Sequence, residues 1–176
     1  MRIISGKHKG RKIIAPKQLP VRPTTDRSKE ALFNILQHRF DFSEIQVLDL
    51  YAGTVNISYE FASRGATQIT AVDQNRFCIQ FIQKTSEALE LNITAIKEES
   101  QHFIEQNENK YDLIFADPPY EFKEKAYEIL TDRSQYLLKP GGLFILEHYK
   151  KIKLTHLQGF EYERVYGNNI FSFFAK

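Results

Sequence analysis

Val47-Leu48-Asp49-Leu50-Tyr51-Ala52-Gly53-Thr54 is a short apolar run that ends in an acid, an aromatic and a glycine turn. A run this short and this apolar reads as a buried strand that hands the chain to a loop and then to a helix near 57–64. The same alternation continues downstream. Gln68 to Val72 reads as a strand, with a helix near 75–90 in which Phe77, Phe81, Ile82 and Leu89 recur at near-helical spacing. A strand near 92–97 precedes a helix near 100–107, and Tyr111 to Ala116 precedes a helix near 122–134. Gly141-Gly142 then introduces a strand from Leu143 to Glu147. Strands that alternate with helices imply parallel pairing through right-handed crossovers, in an open sheet covered on both faces. The last stretch breaks that rule. Phe160 to Tyr166 and Ile170 to Phe174 flank Gly167-Asn168-Asn169, a hairpin signal, so the sheet is expected to finish antiparallel.

Upstream of the alternation lies a basic arm. Residues 1–29 hold nine bases against the single acid Asp26, a local charge of +8, while the remaining residues hold 15 bases and 21 acids, a charge of −6. The near-neutral total of +2 conceals this split, which points to nucleic acid: clustered cations attract phosphates and release counterions. Arg2-Ile3-Ile4 and Ile13-Ile14 bracket Gly6-Lys7-His8-Lys9-Gly10-Arg11-Lys12, a pattern that predicts a hairpin with a basic loop. Pro16, Pro20 and Pro23 interrupt regular structure. A helix can start at Thr24-Thr25-Asp26, where a hydroxyl caps the first amides, and Ala31, Leu32, Ile35 and Leu36 supply its apolar face. The expected organisation is a basic extension over residues 1–24 and an α/β domain over residues 25–176.

Composition excludes several classes. With 176 residues, 42% hydrophobic and 26% charged, the chain is globular rather than disordered or fibrous, and has no length for a second large domain. One cysteine, Cys78, leaves no disulfide framework or Cys-based zinc cluster and suggests a reducing, cytoplasmic setting. No apolar stretch reaches signal-peptide or membrane-span length. Cys78 lies in an apolar helix pattern and reads as core; His8, His38, His102, His148 and His156 share no ligand spacing, so no metal is expected.

In an open α/β sheet a ligand lies beyond the C-terminal strand ends, where strand order reverses. Those ends carry Asp49, Asp73, Glu98-Glu99 and Asp117. There is no Gly-x-Gly-x-x-Gly and no P-loop, so a phosphate is not the expected ligand. Acids suit a ligand with cationic groups and hydroxyls: S-adenosylmethionine has a sulfonium, an ammonium and a ribose diol. Asp73 is placed to accept the ribose hydroxyls. Asp49 would organise the loop or meet the ammonium, and either Glu98 or Glu99 could accept from the adenine amino group. Ala52, Gly53, Thr54 and Ser100 complete the expected cofactor contacts.

Asp117-Pro118-Pro119-Tyr120 is the sharpest motif. Two prolines after a buried strand remove donors and stiffen the turn, leaving the Asp117 carboxylate and the Pro118 carbonyl as fixed acceptors. Two acceptors that hold both hydrogens of an exocyclic amino group can aim the nitrogen lone pair at a sulfonium methyl. Tyr120 would stack on the base.

These residues resemble a known family. Asp117-Pro118-Pro119-Tyr120 is similar to the motif of methyltransferases that act on adenine N6 or guanine N2, and Leu137-Leu138-Lys139-Pro140-Gly141-Gly142 to the turn before the fifth strand of class I S-adenosylmethionine methyltransferases. Arg2 to Gly6, Lys9-Gly10-Arg11, Arg22-Pro23-Thr24-Thr25-Asp26-Arg27 with Glu30 to Asn34, and Ser63-Arg64-Gly65-Ala66 resemble the RsmD family. That resemblance implies a Rossmann-like methyltransferase with a mostly parallel seven-stranded sheet, acting as a monomer on guanine N2 of small-subunit ribosomal RNA. It further implies that Lys7, Lys9, Arg11, Lys12, Arg22 and Arg27 hold the RNA. N6-adenine methylation of DNA or RNA is the alternative that the Asp-Pro-Pro-Tyr motif shares. One departure stands out: Val55 occupies the place of the family's second loop glycine, where a positive φ would strain it. Either the loop takes another path or cofactor binding is weakened; binding is expected to survive, since Gly53 and the acids remain, and a catalytically impaired RNA-binding relative is the corresponding second alternative.

Overall fold

The computed structural model describes residues 1–16, 19 and 25–176. Arg22 and the prolines at 20 and 23 lie outside the described residues. Helix α1 (Asp26–Leu36) starts where the hydroxyl predicts: Thr25 is the N-cap and its side chain accepts the Ser28 N–H. There follow β1 (Gln46–Leu50), α2 (Asn56–Ser63), β2 (Gln68–Asp73), α3 (Arg76–Ala88), β3 (Ile93–Lys97), α4 (Ser100–Gln106), β4 (Tyr111–Ala116) and α5 (Glu124–Leu137). The chain ends with β5 (Leu138–Tyr149), β6 (Phe160–Tyr166) and β7 (Asn169–Ala175).

The strands form one seven-stranded sheet in the order β3-β2-β1-β4-β5-β7-β6. β1 pairs in parallel with β2 on one side and β4 on the other, so the strand order reverses between β1 and β4. The expected antiparallel finish is present in β5–β7 and β6–β7. Alternation along each strand sends one set of side chains to each face. Val47, Leu113, Phe115, Leu143 and Ile145 pack on α1 and α2 through Leu32, Phe33, Ile57 and Phe61. Leu48, Leu50, Ile114, Ala116 and Leu146 meet Ile104 of α4 and Tyr127 and Leu130 of α5 on the other face. Burying both faces explains why the central strands read as continuous apolar runs.

β5 is longer than the predicted 143–147. Leu138 pairs with Tyr111 while Leu143 pairs with Leu113, so Lys139 to Gly142 form a bulge within the strand rather than a turn before it. Gly141 supplies φ +78° there, and a Cβ on Gly142 would lie 2.9 Å from the Lys139 carbonyl oxygen.

The predicted N-terminal hairpin is reduced to one antiparallel bridge, Arg2 to Lys12. Around that bridge the Ile3 N–H donates to the Arg11 carbonyl at 3.0 Å and the Ile13 N–H to the Met1 carbonyl at 3.0 Å, while the Ile3 and Ile13 side chains turn inward, buried with Tyr59 of α2 and Ile79 and Ile82 of α3. The loop lies on the end of α2. The Lys7 N–H donates to the Ser63 carbonyl at 2.7 Å, and a Cβ on Gly6 would collide with that same oxygen. Below it, the Glu60 carboxylate accepts the Ile4 and Ser5 N–H groups at 2.8 and 3.0 Å. Lys29, counted among the bases of the arm, faces inward: its ammonium donates to the Arg2 carbonyl at 2.6 Å and to Asn56 Oδ1 at 2.8 Å. Among the described residues no helix is long and apolar enough to cross a membrane.

Candidate active site

The C-terminal ends of β1, β2 and β4 open onto a cavity of about 500 Å³ at the β1/β4 reversal, the location expected for a ligand in this class of sheet. Asp49, Asp73, Glu99 and Asp117 all line it. Ala52, Gly53, Thr54 and Ser100 do so as well, with Pro118, Pro119 and Tyr120 at the β4 side. Of the two adjacent acids after β3, Glu99 faces the cavity, while Glu98 turns away to meet His102 Nδ1 at 2.5 Å.

The glycine loop is held by the acids. Asp73 accepts the Gly53 N–H at 2.8 Å on one oxygen and the Asn75 N–H at 2.7 Å on the other. Each carboxylate oxygen keeps a further lone pair for a ligand hydroxyl. Asp49 accepts the Ser58 hydroxyl at 2.6 Å; burial raises its pKa to about 7, against the pull of that hydrogen bond and with a smaller push from Asp73. Asp117 is also raised well above the usual carboxylate range, first by burial and then by the negative charges of Glu147 and Asp49.

Val55 keeps the glycine path. It lies at φ +50°, ψ +39°, in the left-handed region, as the N-cap of α2, and its N–H reaches the Ala52 carbonyl at 2.6 Å. Its side chain is buried against Ile3, Tyr59 and Ile79, so apolar packing holds a β-branched residue in a conformation it avoids elsewhere. The loop takes no other path, and Val55 carries the strain.

Tyr120 is half exposed at the cavity mouth, with its ring centroid 6.4 Å from that of Tyr149 at 78°. Its hydroxyl is 3.5 Å from Asn169 Oδ1, and Asn169 Nδ2 donates to Glu147 at 2.5 Å. Glu147 and Asn169 escaped sequence reasoning, since they stand on strands β5 and β7 and come together only through antiparallel pairing. Ser58 escaped it too, although an i, i+9 hydroxyl after a strand-end acid is a faint local signal. Ser100 acts partly inside the protein: its hydroxyl accepts the Tyr51 N–H at 3.0 Å, fastening the loop after β1 to the first turn of α4.

Lys7, Lys9, Arg11, Lys12 and Arg27 are exposed. Lys7 makes a long ion pair of 3.7 Å with Glu90. None of these five lines the cavity, and its lining among the described residues includes five acids and no lysine or arginine.

Residues 1–175 match the family described as conserved hypothetical protein 95, which is the RsmD family. The chain belongs to it. Among relatives of the RsmD family, the Haemophilus influenzae protein named ribosomal RNA small subunit methyltransferase D is 32% identical over 157 residues, covering 85% of this chain and 79% of its own. The Escherichia coli K12 protein of the same name is 32% identical over 135 residues, covering 75% and 67%. Among solved structures, a hypothetical protein of Thermus thermophilus superposes with a TM-score of 0.85 at 25% identity, covering 99% of this chain and 98% of that one. The seven-stranded sheet of this RsmD-family chain is the Rossmann-like methyltransferase fold.

Proposed function

We propose that this chain transfers a methyl group from S-adenosylmethionine to the exocyclic N2 amino group of a guanosine in small-subunit (16S) ribosomal RNA. One observation carries the reading: a crevice whose lining among the described residues includes five acids and no lysine or arginine, with Asp117 and Pro118 at its β4 side. That donor set fits a cationic, phosphate-free ligand. Asp73 would take the ribose hydroxyls, Glu99 the adenine amino group and Asp49 the ammonium end, with Ala52, Gly53, Thr54 and Ser100 closing around them. When bound, the cofactor supplies an electrophilic methyl on its sulfonium.

The protein's own work is positioning. The Asp117 carboxylate and Pro118 carbonyl accept the two N–H bonds of the target amine and aim its lone pair inward, and Tyr120 stacks on the extruded base. With the cofactor bound, the amine nitrogen so held would accept that methyl group and release its surplus proton to solvent. Lys7, Lys9, Arg11, Lys12, Arg27 and, by its sequence, Arg22 would hold RNA phosphates. The guanine assignment draws on the family resemblance of the arm, the ribosomal RNA assignment on the names of the relatives. On this reading the basic segment 1–24 serves as the docking extension of a cytoplasmic monomer whose catalytic unit is 25–176.

The test is incubation with labelled S-adenosylmethionine and either naked small-subunit RNA or assembled subunits from a strain lacking the enzyme, followed by mapping of the labelled base. Label at guanine N2 is expected. Label in adenine, or in DNA alone, overturns the assignment; absence of cofactor binding at millimolar concentration points instead to an inactive RNA-binding protein.

A further inference from the structure

Residues 150–159, which join β5 to β6, contain three lysines, one histidine and no acid, in a body whose charge is otherwise negative. Lys150, Lys151 and Lys153 are exposed, and among the described residues none of them is ion-paired. The segment is anchored beside the cavity mouth. Tyr149 pairs with Asn169 across β5 and β7, and the Lys150 N–H donates to the Asn168 carbonyl at 3.0 Å. Lys151 Nζ stands 6.0 Å from the centroid of the Tyr149 ring.

We propose that this β5 exit is a second RNA-contact surface, in which Tyr149 stacks the nucleotide beside the target and Lys150, Lys151 and Lys153 hold the neighbouring phosphates. The inference rests on the reading of the crevice as a methyl-transfer site. Aromatic faces next to unpaired cations are the elements of single-strand binding, because every base has a π-face and every nucleotide a phosphate. The geometry adds a direction. Tyr120 and Tyr149 stand nearly perpendicular, at 78°, so a base stacked on one ring is turned sharply from a base stacked on the other. A strand whose target nucleotide has been rotated out of its stack has that relationship between neighbours. Position agrees: the N-terminal arm packs on the β2 side of the sheet, through Ala71, whereas β5 lies beyond β1 and β4. The two basic surfaces therefore flank the crevice, and a strand crossing it would be gripped on both sides.

The experiment measures binding of the full chain to a small-subunit RNA fragment by fluorescence anisotropy across a salt series, with methyl transfer and cofactor affinity measured in parallel. K150A/K151A/K153A is expected to weaken RNA binding at least tenfold near 0.1 M salt and to reduce the log–log salt slope by about two, given about 0.7 per single-strand phosphate contact. Tyr149→Ala is expected to weaken it about fivefold or more and Tyr149→Phe to restore it, since stacking needs the ring and not the hydroxyl. Cofactor affinity should be unchanged in every variant. If affinity and slope of the triple variant equal those of the wild type, the lysines are only a solvated edge and the surface is refuted; a wild type that binds no RNA refutes it equally. A wild type that binds RNA through these lysines but transfers no methyl group overturns the proposed activity and leaves the surface standing.

Discussion

Lys29 and Glu60 form an ion pair of 3.3 Å in which neither side chain reaches solvent. Burial lowers the Lys29 pKa, and the charge of Glu60 works against that shift. Glu60 also accepts from Ile4, Ser5 and Arg64, and Lys29 also donates to Arg2 and Asn56, so the pair joins the arm to α1 and α2. Removing Lys29 leaves the buried Glu60 carboxylate with Arg64 as its remaining cation and takes away the donor to the Arg2 carbonyl. Lys29→Met is expected to destabilise the protein by about 3–5 kcal/mol in urea melts, with early hydrogen exchange at Ile4 and Ser5. A loss below about 1 kcal/mol would mean the pair is structurally dispensable.

Val55 predicts an inverted ranking of two small residues. Val55→Ala keeps the cost of the left-handed conformation and loses buried methyl groups, about 1–2 kcal/mol. Val55→Gly loses one carbon more of packing but escapes a backbone cost of about 1–2 kcal/mol. In thermal melts glycine should therefore be at least as stable as alanine at this position, the opposite of their order in a helix interior. Alanine clearly ahead would contradict the strained path.

Asp49 links cofactor binding to pH. Its pKa, raised to about 7, lies above that of an unfolded aspartate, so its contribution to folding is fully present below about pH 4 and is lost as pH rises through 7. A cation in the crevice favours the ionised form and so drives a proton off. Affinity for S-adenosylmethionine should rise from pH 6 to pH 8, and calorimetry in buffers of different ionisation enthalpy should register proton release near pH 6. Asp49→Asn should abolish the release; a pH-independent affinity in the wild type would remove Asp49 from the ligand's field.

Asp117→Ala should reduce turnover by about a hundredfold to a thousandfold while changing cofactor affinity less than about threefold, because its proposed partner is the target amine; a factor of that size is what loss of a preorganised polar contact costs. Single-turnover kinetics alongside calorimetry separates the two effects. Wild-type rates in the variant would refute the role.

The positions of the strand-end acids were legible because short apolar runs and their exits are local features, and Thr25 announced its helix for the same reason. What escaped depends on distant pairing. Lys29 read as one more phosphate-attracting base of the arm, and only Glu60, 31 residues later, explains its burial. Lys139 to Gly142 read as a turn because proline and glycine usually end a strand, whereas the pairing with β4 absorbs them as a bulge. The choice between Glu98 and Glu99 hung on which one His102 draws outward, a matter of helix phase at the start of α4.

The fastening of Ile4 and Ser5 by Glu60 also sets an order of events during synthesis. These amides are made first, yet their acceptor lies 56 and 55 residues downstream. On the ribosome the arm must wait, solvated and unpartnered, until α2 has left the exit tunnel. Closing so long a loop costs entropy before its contacts can compensate, which makes arm docking a late, non-local step of folding. The region with the greatest positive charge thus spends the early life of the chain loose beside the ribosome's own RNA.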